Sequence, residues 1–92
     1  MINAYILLNM KPGNSDKAIE EMRKIENITK ISIVAGEYDI VVRVQVKSLD
    51  KLLKATDKIQ MIKGVMKTTT QIIEKEITSW RLKSGKDIYF SF

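Results

Sequence analysis

The spacing of apolar side chains switches repeatedly along this chain between strand-like alternation and helix-like recurrence. Residues 3–10 form a mostly apolar run that reads as a strand, and Lys11-Pro12-Gly13-Asn14 breaks it. Residues 15–26 then set Ala18, Ile19, Met22 and Ile25 against Lys17, Glu20, Glu21 and Lys24, the two sides of an amphipathic helix. Asn14 or Ser15 is placed to cap its first amides, and Asp16 suits its positive end. Residues 28–35 are rich in β-branched side chains and read as a second strand. Gly36-Glu37 makes a turn. Across residues 38–46, Tyr38, Ile40, Val42, Val44 and Val46 share one face, and Asp39, Val41, Arg43 and Gln45 share the other. The short link between these runs predicts an antiparallel hairpin.

Ser48 is a good cap for a second helix, with Asp50 in its first turn. Leu49, Leu52, Leu53, Thr56, Ile59 and Ile62 make its expected inner stripe, with Lys51, Lys54, Asp57 and Lys58 in water. Lys63-Gly64 ends the helix, and residues 65–78 read as a long last strand. In residues 79–92, Trp80-Arg81-Leu82 and Asp87-Ile88-Tyr89-Phe90 flank Lys83-Ser84-Gly85-Lys86, a pattern for a terminal hairpin or an extended arm. So much aromatic surface would cover either the chain's own core edge or a neighbouring subunit.

The order βαββαβ predicts an α+β, ferredoxin-like sandwich over residues 1–78: a four-stranded antiparallel sheet with two helices on one face, plus a C-terminal β extension over 79–92. The other sheet face would carry Tyr5 and Leu7 from the first strand, and Val41 among Asp39, Arg43 and Gln45 from the third. A surface of such mixed character suits self-association, so dimerisation by stacking of open faces is expected.

Composition narrows the chemistry. The 92 residues make one domain with a thin core, which a partner subunit would help. The chain has no cysteine and no histidine. That removes disulfides, thiolate and imidazole metal ligands, and serine–histidine or cysteine–histidine nucleophiles. No cofactor or metal is expected. The formal net charge is +5, but lysine and glutamate are interspersed and no basic run occurs. That describes a solvated exterior better than a nucleic-acid face. No leader and no membrane-length apolar stretch is visible, so a cytoplasmic location is expected.

Two segments carry candidate chemistry. At the hairpin tip, Gly36, Glu37, Tyr38 and Asp39 bring a permissive backbone, an aromatic ring and a carboxylate together. Asp39 could receive an ammonium group, or it could simply satisfy turn amides. In the last strand, Thr68 and Thr70 share one face, and Thr69 takes the other. Such a pair of hydroxyls can donate to a carboxylate, although threonine is also an ordinary strand residue.

Together, Gly36-Glu37-Tyr38-Asp39, the β-branched strand, the helix, and Gly64-Val65 leading into Thr68-x-Thr70 and Ile72-Ile73 resemble the ligand-sensing (RAM) domain of the Lrp/AsnC transcription regulators. The resemblance runs over residues 3–77 and includes Ala4-Tyr5-Ile6-Leu7-Leu8 and Lys11-Pro12-Gly13. It implies a ferredoxin-like fold that dimerises through its sheets, with dimers assembling into rings, often octamers. It implies a small effector, typically an amino acid, bound between subunits by Gly36, Glu37, Tyr38, Asp39, Thr68 and Thr70. On that pattern Asp39 meets the α-ammonium, and the threonine hydroxyls and tip amides meet the carboxylate.

Full-length members of that family carry an N-terminal helix-turn-helix domain, whereas here Met1 leads straight into the first strand. The expectation is therefore a stand-alone sensing module that senses an amino acid, or co-assembles with full-length regulators and modulates them, rather than one that binds an operator directly. Three other readings compete. An ACT-type regulatory module would use a glycine after the first strand, where Gly13 stands, but the tip and threonine pairing points away from it. A small ferredoxin-like enzyme lacks any acid–base pair that the spacing would bring together. An RNA-recognition module would need exposed aromatics where Val41, Arg43 and Gln45 stand.

Overall fold

A computed structural model of the chain describes residues 1–77. The expected extension over 79–92 lies outside the described residues. Six elements follow in order: β1 (Ile2–Met10), α1 (Ser15–Met22), β2 (Ile28–Ile33), β3 (Ile40–Val46), α2 (Leu49–Gln60) and β4 (Val65–Ile72). The strands form one sheet in the order β2-β3-β1-β4, and every pairing is antiparallel. This is the expected ferredoxin-like βαββαβ sandwich.

Alternation decides which face is buried. Ala4, Ile6 and Leu8 of β1 stand opposite Val44, Val42 and Ile40 of β3. All six are fully buried and join Ala18 and Met22 of α1 with Leu52 and Ile59 of α2 in a single core. A register shift between Asn9 and Met10 ends the regular pairing of β1 with β4.

Both helices differ in detail from the expectation. α1 stops at Met22 rather than near residue 26. Beyond it, Lys24 N bonds to Glu21 O, Ile25 N to Met22 O and Ile28 N to Ile25 O, so the chain tightens into three-residue turns. Asn14 occupies the cap position without capping through its side chain, which donates instead to Pro12 O at 3.2 Å. Ser48 does cap α2, accepting from Lys51 N at 3.3 Å. The inner stripe of α2 is Leu52, Ala55 and Ile59, followed by half-buried Ile62. Leu49 and Leu53, expected inside, are 56% and 61% exposed. Positions 52, 55, 59 and 62 form one row on a helix, and 49 and 53 lie beside it, beyond the width of the sheet contact.

The strands flanking the hairpin tip are shorter than their patterns, at Ile28–Ile33 and Ile40–Val46 rather than 28–35 and 38–46. β4 ends at Ile72 rather than near residue 78. Gly64, with φ +95°, turns the chain into β4. A Cβ there would collide with Asn14 Cβ, so the close approach of this turn to the start of α1 requires glycine.

Candidate functional site

The hairpin tip is built onto the end of β1. Asp39 N donates to Leu8 O at 2.9 Å, and Val34 N donates to Asp39 O at 3.0 Å. The Asp39 carboxylate accepts from Met10 N at 2.7 Å through Oδ2. A short bond from a charged acceptor to a strand-end amide is strong, so this aspartate locks the tip to β1. Its partner is 29 residues away and not an amide of its own turn. Asn9 adds a second tie, donating from Nδ2 to Glu37 O at 2.8 Å. Gly36 is exposed with φ +146°, and nothing lies within 4 Å of where its Cβ would stand. Glu37 is exposed and Tyr38 half-buried. The tip is thus a pinned loop with an open outer surface.

Thr68 and Thr70 do share a face. They stand opposite Leu8 and Ile6, so their face is the helix side, while Thr69 stands opposite Leu7 on the open side. Thr68 Oγ1 accepts from Gln60 Nε2 of α2 at 2.8 Å, and Thr70 is exposed. Leu8 separates Ile40 from Thr68, so two strand spacings, about 10 Å, lie between the tip end of β3 and the threonine strand. Within one chain the tip residues are brought together with each other, and the threonines with each other. The two groups are kept apart by β1.

The main hollows lie elsewhere. One of about 550 Å³ sits between the start of α1 and the end of α2, with Asn14, Lys17, Lys58 and Met61 on its walls. Another of about 400 Å³ runs along β2 beside α1, past Ile19, Arg23, Ile28 and Ile33. On the open sheet face, Tyr5, Leu7, Val41 and Gln71 line a hollow of about 310 Å³. Among the described residues no group of three or more acidic side chains could hold a metal ion, and no helix is long and apolar enough to cross a membrane. Glu21 raises the pKa of Lys24 through a 2.7 Å hydrogen bond and its charge. That pair is exposed on α1, and it is a surface ion pair rather than an acid–base device.

Asn9 and Gln60, which anchor the tip and Thr68, were not singled out by the sequence patterns. Asn9 left one signal, since asparagine is depleted inside strands and its presence in an otherwise apolar run asks for a local partner.

Comparison with known proteins gives this arrangement a context. Residues 3–81 match the model of the Lrp/AsnC ligand binding domain family. The HTH-type transcriptional regulator FL11 of Pyrococcus abyssi is 32% identical over 83 residues, a span covering 87% of this chain and 55% of that protein. A homocitrate synthase of Sulfolobus acidocaldarius is 34% identical over 78 residues, 82% of this chain and 17% of the enzyme. Among solved structures, a feast or famine regulatory protein from M. tuberculosis, complexed with L-methionine, superposes with a TM-score of 0.75 at 27% identity. That match covers 88% of this chain and 55% of the other. The chain spans about half the length of the curated regulators it matches.

Proposed function

The chain belongs to the Lrp/AsnC ligand-binding domain family, and from that premise we propose that it is a sensing and assembly module of transcription regulation that binds an amino acid between subunits. The observation that carries this reading is the family match over residues 3–81. The L-methionine held by the similar mycobacterial regulator supports an amino acid as the effector class.

The separation of the two candidate groups supports a site between subunits. A ligand the size of an amino acid does not span the strand that divides Asp39 from Thr68 and Thr70 in one chain. It can touch both groups when the tip of one chain meets the β4 edge of another. Gly36, Glu37, Tyr38 and Asp39 then come from one subunit, and Thr68 and Thr70 from its neighbour. Asp39 uses Oδ2 on Met10 N, and a carboxylate has lone pairs to spare for an ammonium group. The tip amides and threonine hydroxyls suit the effector carboxylate. The open sheet faces stack in a homodimer, and dimers build an octamer or a similar ring. The module acts in the cytoplasm, alone or in co-assembly with regulators of the same family.

Unfolding in the presence of each of the twenty amino acids, L-methionine included, tests the reading. A ligand at 100 times its dissociation constant adds about 2.7 kcal/mol of stability. Asp39→Asn keeps an acceptor for Met10 N and loses the charge. Without ligand the variant is expected to unfold about 1 kcal/mol below the wild type, because a neutral acceptor holds Met10 N more weakly, and it is expected to lose the ligand-induced shift. A confirmed oligomer that no amino acid stabilises overturns the effector assignment. The similarity to a segment of a homocitrate synthase favours a second reading, an allosteric module that reports to an enzyme. It predicts the same ligand shift, with an enzyme rather than a regulator retained when the chain is used as bait.

A further inference from the structure

On α2, residues 49, 53, 56 and 60 recur at helical spacing and form a row beside the buried one. The 2.8 Å bond from Gln60 Nε2 to Thr68 Oγ1 turns that row toward β4, which is an edge strand of the sheet. A short turn over residues 61–64 joins α2 to β4, so the two run back along each other. Leu53 lies about 10 Å back along the helix from Gln60. The same distance forward along β4 from Thr68 falls between Thr70 and Ile72. Leu53 therefore stands level with Thr70 and Ile72, with Leu49 one turn further on. Thr70 and Ile72 stand opposite Ile6 and Ala4, so they are on the helix side of the sheet with the α2 row. Leu49, Leu53, Thr70 and Ile72 are all exposed, whereas Leu52, Ala55 and Ile59 of the neighbouring row are buried.

We propose that this aliphatic corner of Leu49, Leu53 and Ile72 receives the side chain of the effector, so that the module responds to amino acids with large aliphatic side chains; the assignment rests on the reading of Thr68 and Thr70 as the carboxylate site. The side chain of an α-amino acid leaves the carbon that bears the carboxylate, so it falls beside whatever flanks the threonines. Beyond Thr70 on the strand that is Ile72, and across from it on α2 it is Leu53. The α2 row at 49, 53, 56 and 60 and the β4 positions 68, 70 and 72 carry only leucine, isoleucine, threonine and glutamine, with no charge among them. Gln60 is already engaged by Thr68. A charged effector side chain would give up its water there with no opposite charge to meet it, and an amide side chain would leave donors unpaired. An aliphatic side chain takes Leu53 and Ile72 out of water along with itself. The neighbour's tip does not do this in its place. Gly36 has no side chain, Glu37 and Asp39 are acidic, and the ring of Tyr38 is half-buried in its own chain. The tip therefore leaves the leucines for the ligand to cover.

Calorimetric titration of the full chain with L-leucine, L-isoleucine, L-methionine, L-alanine, L-asparagine, L-glutamate and L-lysine tests the assignment. The three large aliphatic amino acids are expected to bind roughly tenfold or more tightly than alanine, and glutamate and lysine more weakly than alanine. Leu53→Ser and Ile72→Thr alter exposed side chains, so circular dichroism and oligomer size are expected to stay as in the wild type. Each variant is expected to keep its alanine affinity within about twofold while the leucine-to-alanine ratio falls about fivefold or more. Equal affinity for leucine and alanine in the wild type, or a preference for asparagine, glutamate or lysine, overturns the proposal and leaves the effector reading standing. A ratio unmoved in both variants overturns it in the same way. Loss of leucine and alanine binding alike in both variants makes the corner an assembly contact and overturns it too. Binding of none of the twenty amino acids overturns the effector reading and this proposal together.

Discussion

The two faces of the sheet share every strand and every backbone hydrogen bond, yet they meet opposite fates. On the helix side Ala4, Ile6, Leu8, Ile40, Val42 and Val44 are at 0% exposure. On the open side Tyr5 is 38% exposed, Leu7, Val41 and Arg43 are half-buried, and Gln45 is exposed. The difference is one layer. Two helices complete the first face, while on the second Glu76 reaches back from beyond β4 to Arg43. A finished face contributes stability, at about 1.5–3 kcal/mol for each fully buried large aliphatic side chain. An unfinished face is where a second molecule can gain.

The sharpest way to break this contrast is to shorten adjacent leucines, one on each face. Leu8→Ala is expected to lose about 2–5 kcal/mol in urea unfolding, because it leaves a cavity that two helices and two strands cannot close. Gly64→Ala follows at about 1–3 kcal/mol, since the new Cβ is strained at positive φ and collides with Asn14. Gly13→Ala has a similar φ but nothing within 4 Å, so it should cost less, and Asn14→Gly should recover part of the loss at Gly64. Ser48→Ala removes the cap on Lys51 N and should cost about 1 kcal/mol, measurable as a lower thermal midpoint. The smallest effect is expected on the open side. Leu7→Ser, measured on dilute protein, should change stability by less than about 0.5 kcal/mol while weakening self-association in sedimentation. If Leu7→Ser costs as much as Leu8→Ala under those conditions, the two faces are not energetically distinct and the open face is already sealed.

The hairpin was legible because Ile40, Val42, Val44 and Val46 alternate without interruption, and the tip because Gly36-Glu37 interrupts them. The candidate site was legible as two separate segments. Their placement was not. Alternation says that Thr68 and Thr70 share a face, but only pairing with Leu8 and Ile6 says that this is the helix side. In α2 both the Leu49–Leu53 row and the Leu52–Ile59 row have helical spacing, so the choice between them falls to the sheet beneath.

The sequence by itself determined the period of each segment, the order of the elements and the family, because period and order are local properties that hydrophobic burial reads directly. The tertiary structure alone decided that Asp39 holds Met10 N across 29 residues, that Gln60 holds Thr68, and that Glu76 reaches Arg43 across 33. A polar side chain carries no record of its partner. Which donor meets which acceptor is settled only when the sheet register and the path of the chain beyond β4 place them within hydrogen-bond reach.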